Sequence, residues 1–141
     1  MAKFIAWRSF YSVGHDGLDA QHQQILGIIN ELYKAMEDQS DQGVVEPLLN
    51  RLQEYTRKHF AYEESIMEEC GFPGIEYHRE LHNSLRQRTD SLKAHVGLVL
   101  KADLLMFLKD WWLGHIQDED QHYRPYLSNV LRPTESHSAN W

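Results

Sequence analysis

A chain of 141 residues, 42% hydrophobic and 25% charged, has room for one compact domain with its own core and is too apolar for disorder. A net charge of −7 without a basic stripe excludes nucleic acid and an anionic membrane surface as partners. The single cysteine, Cys70, excludes an intrachain disulfide and a thiolate metal cluster, which suits a reducing cytoplasm.

The pattern along the chain is helical throughout. Residues 1–17 show no sustained period and contain Ser9, Ser12, Gly14 and Gly17, so they are expected to form an N-terminal arm over the domain, anchored by Trp7 and Phe10. The apolar run Phe4 to Trp7 is too short for an export signal. Leu18, His22, Ile25, Ile29, Leu32 and Met36 recur at helical spacing and predict a first helix ending near Asp38. A second helix is expected to begin between Gly43 and Pro47, since proline is best tolerated in a first turn. It carries Leu48, Leu49, Leu52, Tyr55, His59, Tyr62 and Ile66 inward. Cys70-Gly71-Phe72-Pro73-Gly74 stops it.

A third helix is expected from about Ile75 to His95, with His78, Leu81, His82, Leu85 and Leu92 inward and Gly97 as its stop. The fourth runs from about Leu100 towards Arg124-Pro125, burying Leu104, Leu105, Leu108, Trp111, Trp112, His115 and Tyr123. Lys101, Asp103, Lys109 and Asp110 interrupt this most apolar region and rule out a membrane span. Residues 18–130 thus predict an all-α, up-down-up-down four-helix bundle. Residues 131–141 are expected to be a disordered tail.

Five of the nine histidines fall on the inward faces. His78 and His82, four residues apart, project from one helix face and can reach one cation. His59 and Glu63 repeat that spacing on the second helix as an imidazole and a carboxylate. His22 stands on the first helix, and His115 precedes Asp118, Glu119 and Asp120 on the fourth. Burying so many ionisable groups in a small core costs several kcal/mol unless a cation neutralises the carboxylates. A structural zinc site closes with four ligands, whereas about seven nitrogen and oxygen donors are available here, which suggests two cations. Imidazoles with bridging carboxylates suit iron. Only Glu119 and His122 have the Glu-x-x-His spacing of ferritin-like di-iron proteins, so the site belongs to a different, histidine-rich class.

The pieces Gln21-His22, His59-Phe60-Ala61-Tyr62-Glu63-Glu64, His78-Arg79-Glu80-Leu81-His82 and His115-Ile116-Gln117-Asp118-Glu119-Asp120 together resemble the bacterial hemerythrins, and they cover nearly the whole chain in family order. The resemblance implies a non-haem di-iron centre. His78, His82 and His115 would hold one iron, His22 and His59 the other, and Glu63 and Asp120 would bridge the pair with a hydroxide. It also implies reversible dioxygen binding at an open position on the second iron, and hence storage, transport or delivery rather than catalysis. The other readings are a di-iron redox enzyme, an oxygen or nitric oxide sensor, or a purely structural iron-holding bundle, and an unidentified redox or oxygen-consuming partner is left open.

Two positions strain the resemblance. In a regular helix Asp120 lies about 140° around the axis from His115, while Glu119 would share its face; using Asp120 therefore requires a π-type turn between them. Trp112 stands where hemerythrins usually place a leucine over the oxygen pocket, and is expected either to contact the bound ligand's pocket or to pack against Trp7 or Phe10. Trp111, Phe60, Tyr62 and Tyr123 are expected to pack, with Tyr62 and Tyr123 also able to hydrogen-bond near the centre. His15, His95, His122 and His137 are expected at the surface or in a supporting shell. Of the acids Glu63, Glu64, Glu68 and Glu69, all but Glu63 are expected on a solvated face. Cys70 is expected to be inert.

Overall fold

The computed structural model describes residues 4–38, 42–94 and 101–129. Four helices form the bundle: α1 (Asp16–Glu37), α2 (Gln42–Glu69), α3 (Ile75–Ala94) and α4 (Lys101–Gly114). Helix α1 packs on α2 and α4, and α2 packs on α3. No strand occurs among the described residues. Helix α2 starts at Gln42, slightly before the expected window, so Pro47 lies inside it. The expectations for Leu92, His95, Gly97, His137 and the 131–141 tail fall outside what is described.

Local chemistry explains the ends. The His15 Nδ1 accepts from the Leu18 amide at 3.1 Å and caps α1, satisfying one of the donors that a helix N-terminus leaves free. His15 is therefore a buried structural residue, 6% exposed, and not a surface one. At the end of α2 the Phe72 amide reaches back to the Met67 carbonyl and the Gly71 amide to the Glu68 carbonyl. This is a Schellman closure, and Gly71 supplies the left-handed residue it needs at φ +73°.

Of the two expected anchors of the arm, Trp7 packs on the core and Phe10 does not. Ile5, Tyr11 and Val13 are buried, whereas Phe10 is 60% exposed; Trp7 is half-buried against the core. Ser9–Tyr11 forms a single 3-10 turn, which turns Tyr11 inward and leaves its neighbour Phe10 facing water. Asn30 holds both backbone groups of Ile5, donating to its carbonyl and accepting from its amide, each at 2.8 Å.

Two apolar clusters divide the interior. One contains Ile25, Ile29, Leu52, Phe60, Leu85 and Trp112 among others, and the second contains Val13, Leu18, Ile66, Met67, Tyr123 and Leu127. Along α1 the buried His22 falls between Leu18 of one cluster and Ile25 of the other. The remaining helices repeat this order, so a polar layer crosses the bundle between two apolar ones.

Candidate metal centre

Each helix sends side chains into that layer. His22 comes from α1, His59 and Glu63 from α2, His78 and His82 from α3, and His115 and Asp120 from the end of α4. All seven are at most 3% exposed. At its C-terminal end α4 changes pitch: His115–Glu119 is a π-helical turn in which the Asp120 amide donates to the His115 carbonyl, five residues back. The wider turn absorbs one extra residue and brings Asp120 to the face of His115. Asp120 is 0% exposed, while the Glu119 side chain remains 26% exposed beside His122.

The two carboxylates divide their oxygens between two groups of imidazoles. Glu63 Oε1 lies 3.1 Å from His78 Nε2, 2.9 Å from His82 Nε2 and 3.9 Å from His115 Nε2. Its Oε2 lies 3.5 Å from His22 Nε2 and 3.4 Å from His59 Nε2. Asp120 follows suit, with Oδ1 at 2.9 Å from His78 and 3.0 Å from His115, and Oδ2 at 3.1 Å from His22. One end of the layer therefore gathers three imidazoles and the other gathers two.

The far ring nitrogens fix what the inner ones can do. His82 Nδ1 lies 2.7 Å from Glu64 Oε2, and His59 Nδ1 lies 2.7 Å from Gln21 Oε1. Both partners accept only, so each Nδ1 carries the hydrogen and, in a neutral ring, each Nε2 turns a lone pair inward. Those lone pairs face carboxylate oxygens, and His82 Nε2 also faces His115 Nε2 at 3.2 Å. Acceptor faces acceptor unless protons or cations lie between them. Both Asp120 oxygens and His22 Nε2 are fully buried yet engaged in no hydrogen bond. The donor set fits metal ions: all nitrogen and oxygen, convergent and buried, with orphaned atoms on Asp120 and His22.

Without a cation, protons take up the role. Burial disfavours the His22 and His78 imidazolium ions, but the Asp120 and Glu63 carboxylates outweigh it and raise them to about 9 and about 10. Burial dominates at His59, which is lowered to about 4. Burial alone would raise Glu63 and Asp120, but the imidazoles that surround them hold both below the usual carboxylate range. Metal ions would displace those protons.

The surrounding shell holds two residues without an expected role, Glu64 and Gln21, beside the expected aromatic residues. Glu64 is not a member of a solvated face: its side chain is 21% exposed and bridges His82 to Arg79. Gln21 is 1% exposed; it stood in a recognised motif with no role attached. The Tyr123 hydroxyl donates to Glu63 Oε2 at 2.9 Å. Phe60 stacks on His82 with ring centroids 3.6 Å apart, and Trp111 stacks on His115 at 4.4 Å. Trp112, fully buried, packs against Phe60 and lies 6.0 Å from the His59 ring and 6.3 Å from the His115 ring, so that it adjoins both groups of imidazoles. Its other side forms the floor of a surface cleft of about 370 Å³ together with Leu52, Leu85 and Leu108. It packs within the bundle and its ring neighbours are Phe60, Trp111, His59 and His115.

Comparison with known proteins agrees with this arrangement. Residues 13–127 match the family model for the hemerythrin HHE cation binding domain. A bacteriohemerythrin of Stenotrophomonas maltophilia is 29% identical over 97% of this chain and 92% of its own. The myohemerythrin of Riftia pachyptila is 29% identical over 86% of this chain and 92% of its own. Among solved structures, wild-type hemerythrin superposes with a TM-score of 0.81 at 26% identity, covering 89% of this chain and 98% of that one. A leucine-to-tyrosine variant of hemerythrin superposes at 0.82 and 25% identity. The buried histidine and carboxylate cluster is consistent with the di-iron centre of that family. By sequence, by fold and by the donors gathered at its centre, this chain belongs to the hemerythrin family.

Proposed function

We propose that the protein binds dioxygen reversibly at a di-iron centre, with His78, His82 and His115 holding one iron, His22 and His59 the other, and Glu63 and Asp120 bridging. The observation that carries this reading is the division of carboxylate oxygens: Glu63 offers one oxygen to three imidazoles and the other to two, and Asp120 offers one oxygen to two imidazoles of the first group and the other to His22 of the second. The two-imidazole side is one protein donor short. Two ferrous ions, when bound, supply two electrons and an open coordination position for dioxygen.

The chain's own residues prepare the site. Gln21 and Glu64 fix the tautomers of His59 and His82, so both present Nε2 inward. Tyr123 orients Glu63 through its oxygen on the two-imidazole side. Phe60, Trp112 and Ile116, all fully buried, exclude water, which limits loss of electrons to solvent-borne oxidants and protons. Trp112 stands beside His59 and acts as the wall of the ligand pocket.

The test is anaerobic loading with ferrous iron, then air, then deoxygenation, with the visible spectrum recorded throughout. A coloured adduct that appears with air and vanishes on deoxygenation supports oxygen carriage. A di-iron redox enzyme or sensor is the second reading, favoured by the Tyr123 hydroxyl, a proton donor already bonded to Glu63. Irreversible oxidation, or turnover of added peroxide, would move the assignment there.

A further inference from the structure

A second surface cleft, of about 400 Å³, is lined by Gln21, Arg57, Lys58, Tyr62, Glu64 and Arg86 among others. Its floor contains both residues that hold the outer nitrogens of the metal-site histidines. Glu64 is hydrogen-bonded to His82 of the three-imidazole group and Gln21 to His59 of the two-imidazole group, each at 2.7 Å. One face of the molecule is thus a single hydrogen bond from both halves of the centre. A third connection runs through rings: the Arg86 guanidinium lies 5.8 Å from the Phe60 ring centroid, and Phe60 stacks on His82.

The rim is cationic on a chain that carries −7 overall. Arg57 and Lys58 side chains are 62% and 53% exposed and share Glu54, at 2.6 and 4.0 Å. Such exposed pairs contribute little and exchange readily for another carboxylate. A small anion entering the cleft would meet the Glu64 carboxylate on the floor, whereas a folded partner with acidic groups around its redox centre would contact the rim alone.

We infer that this cleft is the docking face for an acidic one-electron carrier protein, which returns an oxidised di-iron centre to the ferrous state. The inference rests on the di-iron reading above. Each reduced carrier gives up one electron and is oxidised by one; two such transfers convert two ferric ions to two ferrous ions, and no atom passes between the proteins. Electrostatic attraction at the rim speeds encounter and makes it salt-dependent.

The iron-loaded, oxidised protein is mixed anaerobically with a reduced, acidic plant-type [2Fe–2S] ferredoxin in a stopped-flow instrument, and bleaching of the visible absorption is followed. Expected is a second-order rate that falls about tenfold or more between low and high salt, and falls similarly when Arg57→Glu, Lys58→Glu and Arg86→Glu are combined. Lys34→Glu, exposed on α1, should leave the rate unchanged, and dithionite should reduce every variant alike. Lys58→Glu alone, at an exposed position, should give a smaller loss in the same direction. Equal ferredoxin rates in wild type and both cleft variants, or an equal loss in Lys34→Glu, would overturn the docking face. A chain that takes up no iron would refute the di-iron reading instead. Ferredoxin titration of the metal-free chain, read by tryptophan fluorescence, then decides docking separately: charge-reversed and wild-type chains binding alike would overturn it.

Discussion

Replacing Trp112 with leucine separates packing from control of access. The indole is fully buried, lies beside His59 and Phe60, and closes the floor of the cleft of about 370 Å³. Trp112→Leu leaves a void of about 60 Å³, which at about 24 cal/mol per Å³ costs about 1.5 kcal/mol of stability. The same void lies between the cleft that Trp112 lines and the His59 and His115 rings. A barrier to ligand exchange lowered by about that amount raises the exchange rate about tenfold. Urea unfolding measures the first effect; oxygen dissociation and autoxidation, followed in the visible band of the iron-loaded protein, measure the second. Destabilisation with unchanged oxygen kinetics and autoxidation would show that Trp112 is core packing and nothing more.

Three further outcomes follow from the site. Glu64→Gln keeps the acceptor on His82 but removes its charge, so metal affinity should drop by roughly 10- to 100-fold, read by competition with a chelator; an unchanged affinity would mean that only the hydrogen bond matters. Asp120→Ala should abolish stable loading of two irons whereas Glu119→Ala should retain both, measured as iron per chain, because the π turn directs Asp120 inward and leaves Glu119 at the edge. In the metal-free chain His22 and His78 are raised to about 9 and about 10, so their stabilising contribution is complete below their unfolded value of about 6.5 and is lost as pH rises through 9 to 10. The melting temperature of the metal-free protein should therefore fall across pH 7 to 10. That of the loaded protein, whose ligands are neutral imidazoles, should lack this loss.

The helices were legible because their apolar positions keep one period over about four turns or more, as Leu18, Ile25, Ile29 and Leu32 do on α1. The inward histidines ride on the same period. Asp120 was legible only through its motif, since a regular helix would have chosen Glu119; the π turn resolves that conflict. The aromatic shell was legible from helical spacing, Tyr123 included, but the two residues that hold the outer nitrogens were not. Gln21 and Glu64 find their histidines 38 and 18 residues away on other helices, and neither residue type announces burial. Phe10 was misplaced as an anchor of the arm for a simpler reason: Phe10 and Tyr11 are adjacent aromatics, and a 3-10 turn decides which one faces inward.

The polar layer between the two apolar clusters ties occupancy to the protein's lifetime. All four helices bring those seven side chains together between the two clusters, and in the unfolded chain the seven are scattered, so ions held there favour the native state by mass action. A protease acts on the transiently opened chain, whose population shrinks as that stability grows. Chains short of iron would be cleared first. The abundance of the protein would then follow the supply of its metal without any dedicated sensor.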